Sequence, residues 1–509
     1  MNYPFWDVGI GYGWLMAVIS VLHVFISHFA IGGGLYLVVV EYFARRNRDA
    51  FRLDFLEYAS KFFVLATLVA GAVTGVGIWF IIGLLNPAAT EALIHHFVWG
   101  WATEWTFFVV EIIAAILYLY GWKRLSARAH LTIGWIYFAA AWLSLVVING
   151  IITFMLTPGQ WLTTGNFWDG IFNPTYWSSL VLRTGICLML AGVFTMMLAA
   201  RFKSDPGKPA LVRHNAVWGL VGLIVMVPSF YWYWKSIPAA ITTRALESMT
   251  TPISSMTQSF WIAGALALVI ILFGLLLPRK QNMVVGLLIM VLAFAWFGEF
   301  EWFRESLRKP YVISNYMYGN GIELADAALY QQSGYLSQMK FRTGNDGADL
   351  FRHSCRTCHT ADGYKPLKPA FDGTDKEFIA AIVMGAHKLK GNMPQFLGTP
   401  KEAVLIADHI YGFTDHRSLS EIYGLQGVAL GEKVYQIRCG GCHVIGGFND
   451  KSASLVGLDE SSCNDLLDIA GELATEMPAF TASDAERAAL IEYLKTLTPQ
   501  EEGATNAGL

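Results

Sequence analysis

The chain has 509 residues, 54% of them hydrophobic and 15% charged, with a formal net charge of −3. That balance excludes a single soluble globular domain, and the sparse, scattered basic residues exclude a nucleic-acid surface; a membrane protein of more than one domain remains. Most of the Asp, Glu and Lys residues follow residue 320, whereas the first 300 residues break into apolar runs of about 20 residues or more, long enough to cross a bilayer.

Eight spans are expected, over residues 13–43, 60–85, 100–121, 132–156, 177–200, 216–236, 257–277 and 282–303. Basic residues fall in alternate loops: Arg45, Arg46, Arg48 and Arg52, then Lys123, Arg124 and Arg128, then Arg201, Lys203, Lys208 and Arg213, and last Arg279 and Lys280. The opposite loops hold only Lys235 and Arg244, so the positive-inside rule puts both chain ends outside the cytoplasm. The amino terminus lacks a basic n-region and its apolar stretch is far longer than an h-region, so the first span is expected to act as its own targeting signal. Trp99, Trp101, Trp105, Trp161, Trp168 and Trp177 fall near the outer interface and read as membrane anchors.

His23 lies about ten residues inside the first span, roughly 15 Å below its outer end. Positions 23, 27, 30 and 34 share a helical face and read His23, Ser27, Ala30 and Gly34. Small side chains beside one imidazole leave room for a large planar cofactor, or equally for a neighbouring helix across which His23 hydrogen-bonds. His28, about 140° further round, reads as a packing or hydrogen-bonding residue. Glu104 and Glu111 are seven apart and share a face, about 10.5 Å apart along the axis. A carboxyl inside a span is costly, which favours a proton relay over plain interhelical bonding.

The last span closes on a stretch from Trp296 to Tyr311. Within it Glu305, Arg308, Pro310 and Tyr311 resemble the Glu-x-Gly-Arg-Gln-Pro-Trp signature of the haem-bearing large subunit of cytochrome bd quinol oxidases, with the glycine and glutamine replaced. In the first span His23, Gly32 and Glu41 fall at the spacing of that family's ligand His, following Gly and span-ending Glu. Glu111, ten residues before Gly121-Trp122, matches too, while Glu104 is offset by one residue from the family's earlier Glu, where Thr103 stands. The resemblance covers residues 1–311. It implies that His23 ligates the high-spin active-site haem (haem d in the family), that Glu305 ligates a neighbouring high-spin haem b, and that at least one further membrane subunit is a partner; on its own residues Glu305 also reads as a solvated carboxylate paired with Arg304 or Arg308.

The chain departs from the family at the low-spin haem b, whose His and Met come from the fifth and seventh spans. The fifth-span position reads Leu182-Arg183-Thr184, and no His or Met lies between Gln258 and Leu277. Arg183 cannot ligate iron and is expected instead beside a haem propionate. The family's long quinol loop is reduced to residues 237–256. The low-spin b haem is therefore expected to be absent, and quinol is not the expected donor.

Behind the membrane part stand two haem-attachment sites, Cys355-Arg356-Thr357-Cys358-His359 and Cys439-Gly440-Gly441-Cys442-His443. Each pair of thiols adds to the vinyl groups of one macrocycle while the next imidazole reaches its iron. Met393 and Met477, each 34 residues after its His, complete a His/Met ligand set. A zinc knuckle or a redox dithiol explains neither the adjacent His nor the Met. A constant offset of 84 residues maps Gly347 onto Gly431, Phe351 onto Tyr435, Cys355 onto Cys439 and Met393 onto Met477, which makes the tail a duplicated module. The remaining Cys187 and Cys463 are not expected to form a disulfide.

The expected architecture is all-α: a polytopic transmembrane helix bundle over residues 1–311, a linker over 312–340, small helical cytochrome c domains over 341–415 and 425–498, and a disordered tail over 499–509. The expected cofactors are two c haems, with two b haems or one b and one d in the membrane. The expected protein is a multi-pass respiratory oxidoreductase of the bacterial inner membrane, embedded in lipid. Its c domains lie in the periplasm, where haem c is attached, and take electrons from a cytochrome or a partner redox subunit. Those electrons reach high-spin haems that reduce O2 or NO. In the alternative, the chain is a non-catalytic electron-transfer subunit of a larger complex.

Overall fold

The computed structural model describes residues 6 and 8–497, except 203–204, 249–250, 391 and 475–476. The expected disordered tail and Lys203 lie outside the described residues. Eight helices are long and apolar enough to cross a membrane: α1 (Tyr12–Arg46), α2 (Ala50–Leu85), α3 (Val98–Gly121), α4 (Ala127–Phe154), α5 (Tyr176–Ala199), α6 (Lys208–Ser236), α7 (Pro252–Leu276) and α8 (Met283–Arg308). Several outrun the apolar stretches that announce them. α2 starts ten residues before its expected span and α6 eight, because a helix keeps its backbone bonds past the point where its side chains become polar. Asp49 caps the start of α2, accepting from the Arg52 amide. Ser126 and Asn282 do the same for α4 and α8.

α5 is the central rod and the most buried span. It packs along α6, α1, α8 and α4. Between helices in lipid there is little hydrophobic drive, so close approach through small residues carries the packing. At the α1–α5 crossing a Cβ on Gly32 would overlap the Cys187 carbonyl oxygen. Large apolar side chains such as Val76, Trp261 and Val284 point outward, as expected of a lipid-facing surface.

The basic end of the bundle is tied by Glu41, fully buried near the end of α1. Its carboxylate accepts from Arg45 Nε at 2.6 Å, the Tyr118 hydroxyl at 2.7 Å and His130 Nδ1 at 2.8 Å. His130 Nε2–H donates to the Tyr118 carbonyl at 2.9 Å. A side chain on Gly121 would press on the His130 ring. The Glu41 and Gly121 that carried the family resemblance thus belong to one joint among α1, α3 and α4.

At the other end the linker lies across the loops that hold Asn86, His96 and Met155. Two short strands, β1 (Tyr311–Ile313) and β2 (Met317–Tyr318), pair antiparallel. The Ser314 amide donates to the Met155 carbonyl, Asn86 Nδ2 donates to the Gly319 carbonyl, and the Tyr316 hydroxyl meets His96 Nε2.

The two c modules are built alike. The first contains α9 (Asp346–Ser354), α10 (Lys376–Met384) and α11 (Pro400–Tyr411); the second contains α12 (Gly427–Arg438), α13 (Glu460–Asp468) and α14 (Asp484–Lys495). α9 crosses α11, and α12 crosses α14, at the paired glycines Gly347 and Gly431. Thr399 and Glu402 form a capping box on α11, and Ser483 and Glu486, 84 residues on, form its counterpart on α14. Each box carboxylate also accepts a backbone amide from the segment before its module, Leu336 for Glu402 at 2.8 Å and Leu419 for Glu486 at 2.7 Å.

Candidate functional site

In the first c module Cys355 and Cys358 are free thiols just past the end of α9. His359 Nδ1–H donates to the Lys365 carbonyl at 3.1 Å. In the second module Cys439 and Cys442 are free and His443 Nδ1–H donates to the Asn449 carbonyl at 3.1 Å. Lys365 and Asn449 are 84 residues apart, and both take a left-handed conformation, φ 47° in each. The turn aims a carbonyl back at the imidazole, fixes the tautomer and leaves Nε2 with a free lone pair, as a hydrogen bond to the far ring nitrogen does for metal-binding histidines in general. Two thiols, an oriented imidazole and a half-buried Met at 393 or 477 fit a c haem in each module.

His353, in the first module, packs edge-on against the Tyr335 ring at 5.3 Å. Burial pushes its pKa from 6.5 down to about 3. Between those values the unfolded chain binds a proton that the folded module refuses, so this contribution is complete above pH 6.5 and is lost as pH falls. The slope approaches about 1.4 kcal/mol per pH unit at most. The second module has Ile437 at the equivalent position. On going from pH 7 to pH 5, hydrogen exchange followed by mass spectrometry should show protection falling in residues 341–415 more than in 425–498, and a His353→Phe variant should remove the difference.

In the membrane part, His23 stands on α1 against α2. Its Nδ1 lies 3.1 Å from Thr74 Oγ1, whose own proton goes to the Ala70 carbonyl, so the imidazole is the donor. Nε2 has a long 3.4 Å approach from Ser27 Oγ, whose proton is given to the His23 carbonyl, and the ring also bonds the Gly71 backbone. His23 therefore has the same pattern as the two c-haem ligands, with Nδ1 fixed and Nε2 open, and fits as an iron donor. The strip of Ala30 and Gly34 below it is not vacant. The Tyr137 ring lies against Gly34 and its hydroxyl donates to the Ala30 carbonyl at 3.3 Å. The small residues there serve helix packing rather than a planar cofactor, a distinction that needs the partner helix and is invisible in α1 alone.

Glu305 ends α8. Its carboxylate is ion-paired with Arg308 and with Lys309 Nζ, the latter at 2.7 Å. It lies within electrostatic range of Tyr12, three helical turns and roughly 16 Å along α1 from His23. Glu305 also faces the first c module, since Lys365 lies within electrostatic range of both Glu305 and Lys309. The segment before α1 seals the same contact: Arg356 Nη2 donates to the Val8 carbonyl at 3.0 Å and the Tyr364 amide to the Ile10 carbonyl at 3.2 Å.

Glu104 and Glu111 lie on one face of α3 as expected. Ser144 Oγ on α4 donates to Glu104 Oε1 at 3.1 Å. Arg183, expected beside a propionate, is fully buried on α5 and has protein partners: Nη2 donates to Glu301 Oε1 at 3.1 Å and Nη1 to His28 Nε2 at 3.3 Å. Glu301 also pairs with Arg304, which donates to the Ile152 carbonyl at 3.1 Å. His28 is fixed through Nδ1–H to the Val24 carbonyl at 2.7 Å, so it is a packing and hydrogen-bonding residue. Arg304 thus pairs with Glu301 and not with Glu305, and the one local mark of this pair in the sequence is two opposite charges three apart inside an apolar stretch.

Residues 13–233 match the family model described as cytochrome bd terminal oxidase subunit I. Residues 342–410 and 426–494 each match the model of cytochrome c oxidase, cbb3-type, subunit III. Among solved structures, the chain is similar to that described as the structure of bd oxidase from Geobacillus thermodenitrificans, with a TM-score of 0.52 and 15% identity over 60% of this chain and 89% of that one. At that identity the likeness is one of fold. No curated protein matches the chain. The chain thus joins a region that matches the cytochrome bd oxidase subunit I model to two that match a cytochrome c model, the make-up of a multi-pass, haem-dependent membrane oxidoreductase of respiratory electron transport.

Proposed function

We propose that this chain is the haem-bearing subunit of an inner-membrane oxidase whose c domains, in the periplasm, receive electrons from a cytochrome or a partner redox subunit and feed a membrane centre that reduces O2 or NO. The observation that supports the reading best is the shared state of His23, His359 and His443, each with Nδ1 anchored and Nε2 open. In this reading His359 with Met393, and His443 with Met477, hold the two c haems through Cys355 and Cys358 or Cys439 and Cys442. His23 holds a high-spin b or d haem, and Glu305 a neighbouring b haem. A haem with one open coordination position supplies an iron that binds a small oxidant and accepts electrons singly. Glu104 and Glu111 hold protons inside the bilayer close to where charge arrives, with Ser144 orienting the first.

A low-spin b haem and quinol oxidation have no place in this scheme, because Arg183 is engaged by Glu301 and His28 where the family's ligand would stand. The alternation of basic residues supports both chain ends being periplasmic. A second membrane subunit follows from the likeness to the bd oxidases.

The ion pairs of Glu305 with Arg308 and Lys309 favour a second reading, in which the chain is a non-catalytic electron conduit. Carbon monoxide difference spectra of the reduced full-length protein separate the two. The oxidase reading expects a CO-shifted b or d band that disappears in His23→Ala while pyridine haemochrome analysis still counts two c haems. A protein without any CO shift is a conduit.

A further inference from the structure

The two c modules repeat each other in fold but differ at one surface. In the first module the turn Ala386–Lys388, with Leu389 behind it, faces the second module. A Cβ on Gly441, inside the second Cys-x-x-Cys-His loop, would stand 3.0 Å from Leu389 Cδ2. Arg438, beside that loop, fastens the contact through Nη2 to the Gly373 carbonyl at 2.7 Å and lies over the Phe378 ring at 5.4 Å. The haem-attachment loop of one module thus sits on the Leu389 turn of the other.

The second module has the same turn 84 residues on, Ala470–Glu472 followed by Leu473. Ala470 is buried and Gly471 packs on Ala479, but the two large apolar side chains beside the turn are open: Ile469 is 45% and Leu473 50% exposed. The charge around it is reversed. Lys388 and Lys390 flank Leu389, whereas Glu472 precedes Leu473 and Asp465 takes the place of Ala381. Over whole modules, residues 341–415 carry nine acidic and nine basic side chains, and residues 425–498 carry eleven acidic against five basic. A lysine-flanked turn meets the acidic second module, and a carboxylate-flanked copy of the same turn stands open.

We propose that the Leu473 face docks a basic, soluble c-type cytochrome, whose own haem-attachment loop seats on Leu473 as the Gly441 loop sits on Leu389. This rests on the reading above that a cytochrome is the donor, and adds the site, the sign of the partner's charge and its orientation. The reaction is a single electron leaving the partner's ferrous haem for the ferric haem of the second module, with no atom transferred. Ile469 and Leu473 exclude water at the contact, while the carboxylates speed encounter at low salt.

The test uses the full-length oxidised protein in detergent and a zinc-substituted basic cytochrome c, whose excited state decays faster when it passes an electron to a ferric haem. Variants are compared at two c haems per chain by pyridine haemochrome. In Asp465→Lys/Glu472→Lys the bimolecular quenching constant should fall about tenfold or more at low ionic strength, with the gap closing at high salt. Leu473→Ser, which alters no charge, should lower it several-fold at every salt concentration. Asp362→Lys/Glu377→Lys in the first module should stay within about twofold of wild type. Equal quenching by wild type and both second-module variants overturns the proposal, as does a wild type that the basic cytochrome fails to reach. The oxidase reading is judged separately by the CO spectrum, so a protein that passes this test and lacks a CO band keeps the docking site and loses oxygen reduction.

Discussion

Glu301→Ala should destabilise the membrane bundle by about 3–5 kcal/mol, the usual cost of stripping one partner from a buried ion pair. Glu301 bridges two guanidiniums, Arg183 on α5 and Arg304 on its own helix. Arg183 is fully buried and its remaining acceptor is the neutral ring of His28. Removing the carboxylate leaves two cations facing each other in lipid, whereas Arg183→Leu leaves Glu301 still matched by Arg304 and should cost much less. Heating the detergent-solubilised protein and following the soluble, haem-stained fraction ranks the variants: wild type highest, Arg183→Leu next, Glu301→Ala lowest. If Glu301→Ala is as heat-resistant as wild type, the network does not hold α5 to α8.

The second large effect is expected at Gly431. A methyl group there would overlap the Ala489 carbonyl oxygen, where α12 crosses α14. The helices must separate, and overpacking of this kind costs about 1–3 kcal/mol, enough to unfold a module of some 70 residues. Gly347→Ala in the first module meets the Leu405 carbonyl at 2.6 Å, a milder clash at the equivalent crossing. Pyridine haemochrome of Gly431→Ala should therefore report one c haem per chain rather than two, with the first module retained, and Gly347→Ala should keep more of its haem. Two haems in Gly431→Ala would mean that the crossing tolerates a wider gap.

What the sequence makes legible here is local. Eight apolar runs correspond to eight spans, and the Cys-x-x-Cys-His spacing with its 84-residue copy marks both modules, because each signal depends on residues close along the chain. The signal weakens where function depends on which helices meet. From α1 alone Ala30 and Gly34 fit a cofactor strip and a helix contact equally, and only the Tyr137 ring, which comes from α4, decides for the contact. Arg183 was visible as a missing ligand, but its partner Glu301 lies 118 residues away and no periodicity connects them. Glu41 stood out only by likeness to a family, and its partners Tyr118 and His130 appear once three helices are assembled. The seam between the first c module and the membrane part was not legible, since it joins a loop, a helix end and a backbone segment that share no pattern.

That seam also sets an order of events during synthesis. Val8 and Arg356 are 348 residues apart in the chain and hydrogen-bonded in the finished protein. At the ribosome's usual pace of about 5–20 residues per second, the segment preceding the first span waits roughly 20–70 s for the piece that will cap it. During that interval its exposed carbonyls at Val8 and Ile10 are open to chaperones or proteases, and the late arrival of the cytochrome tail closes the window.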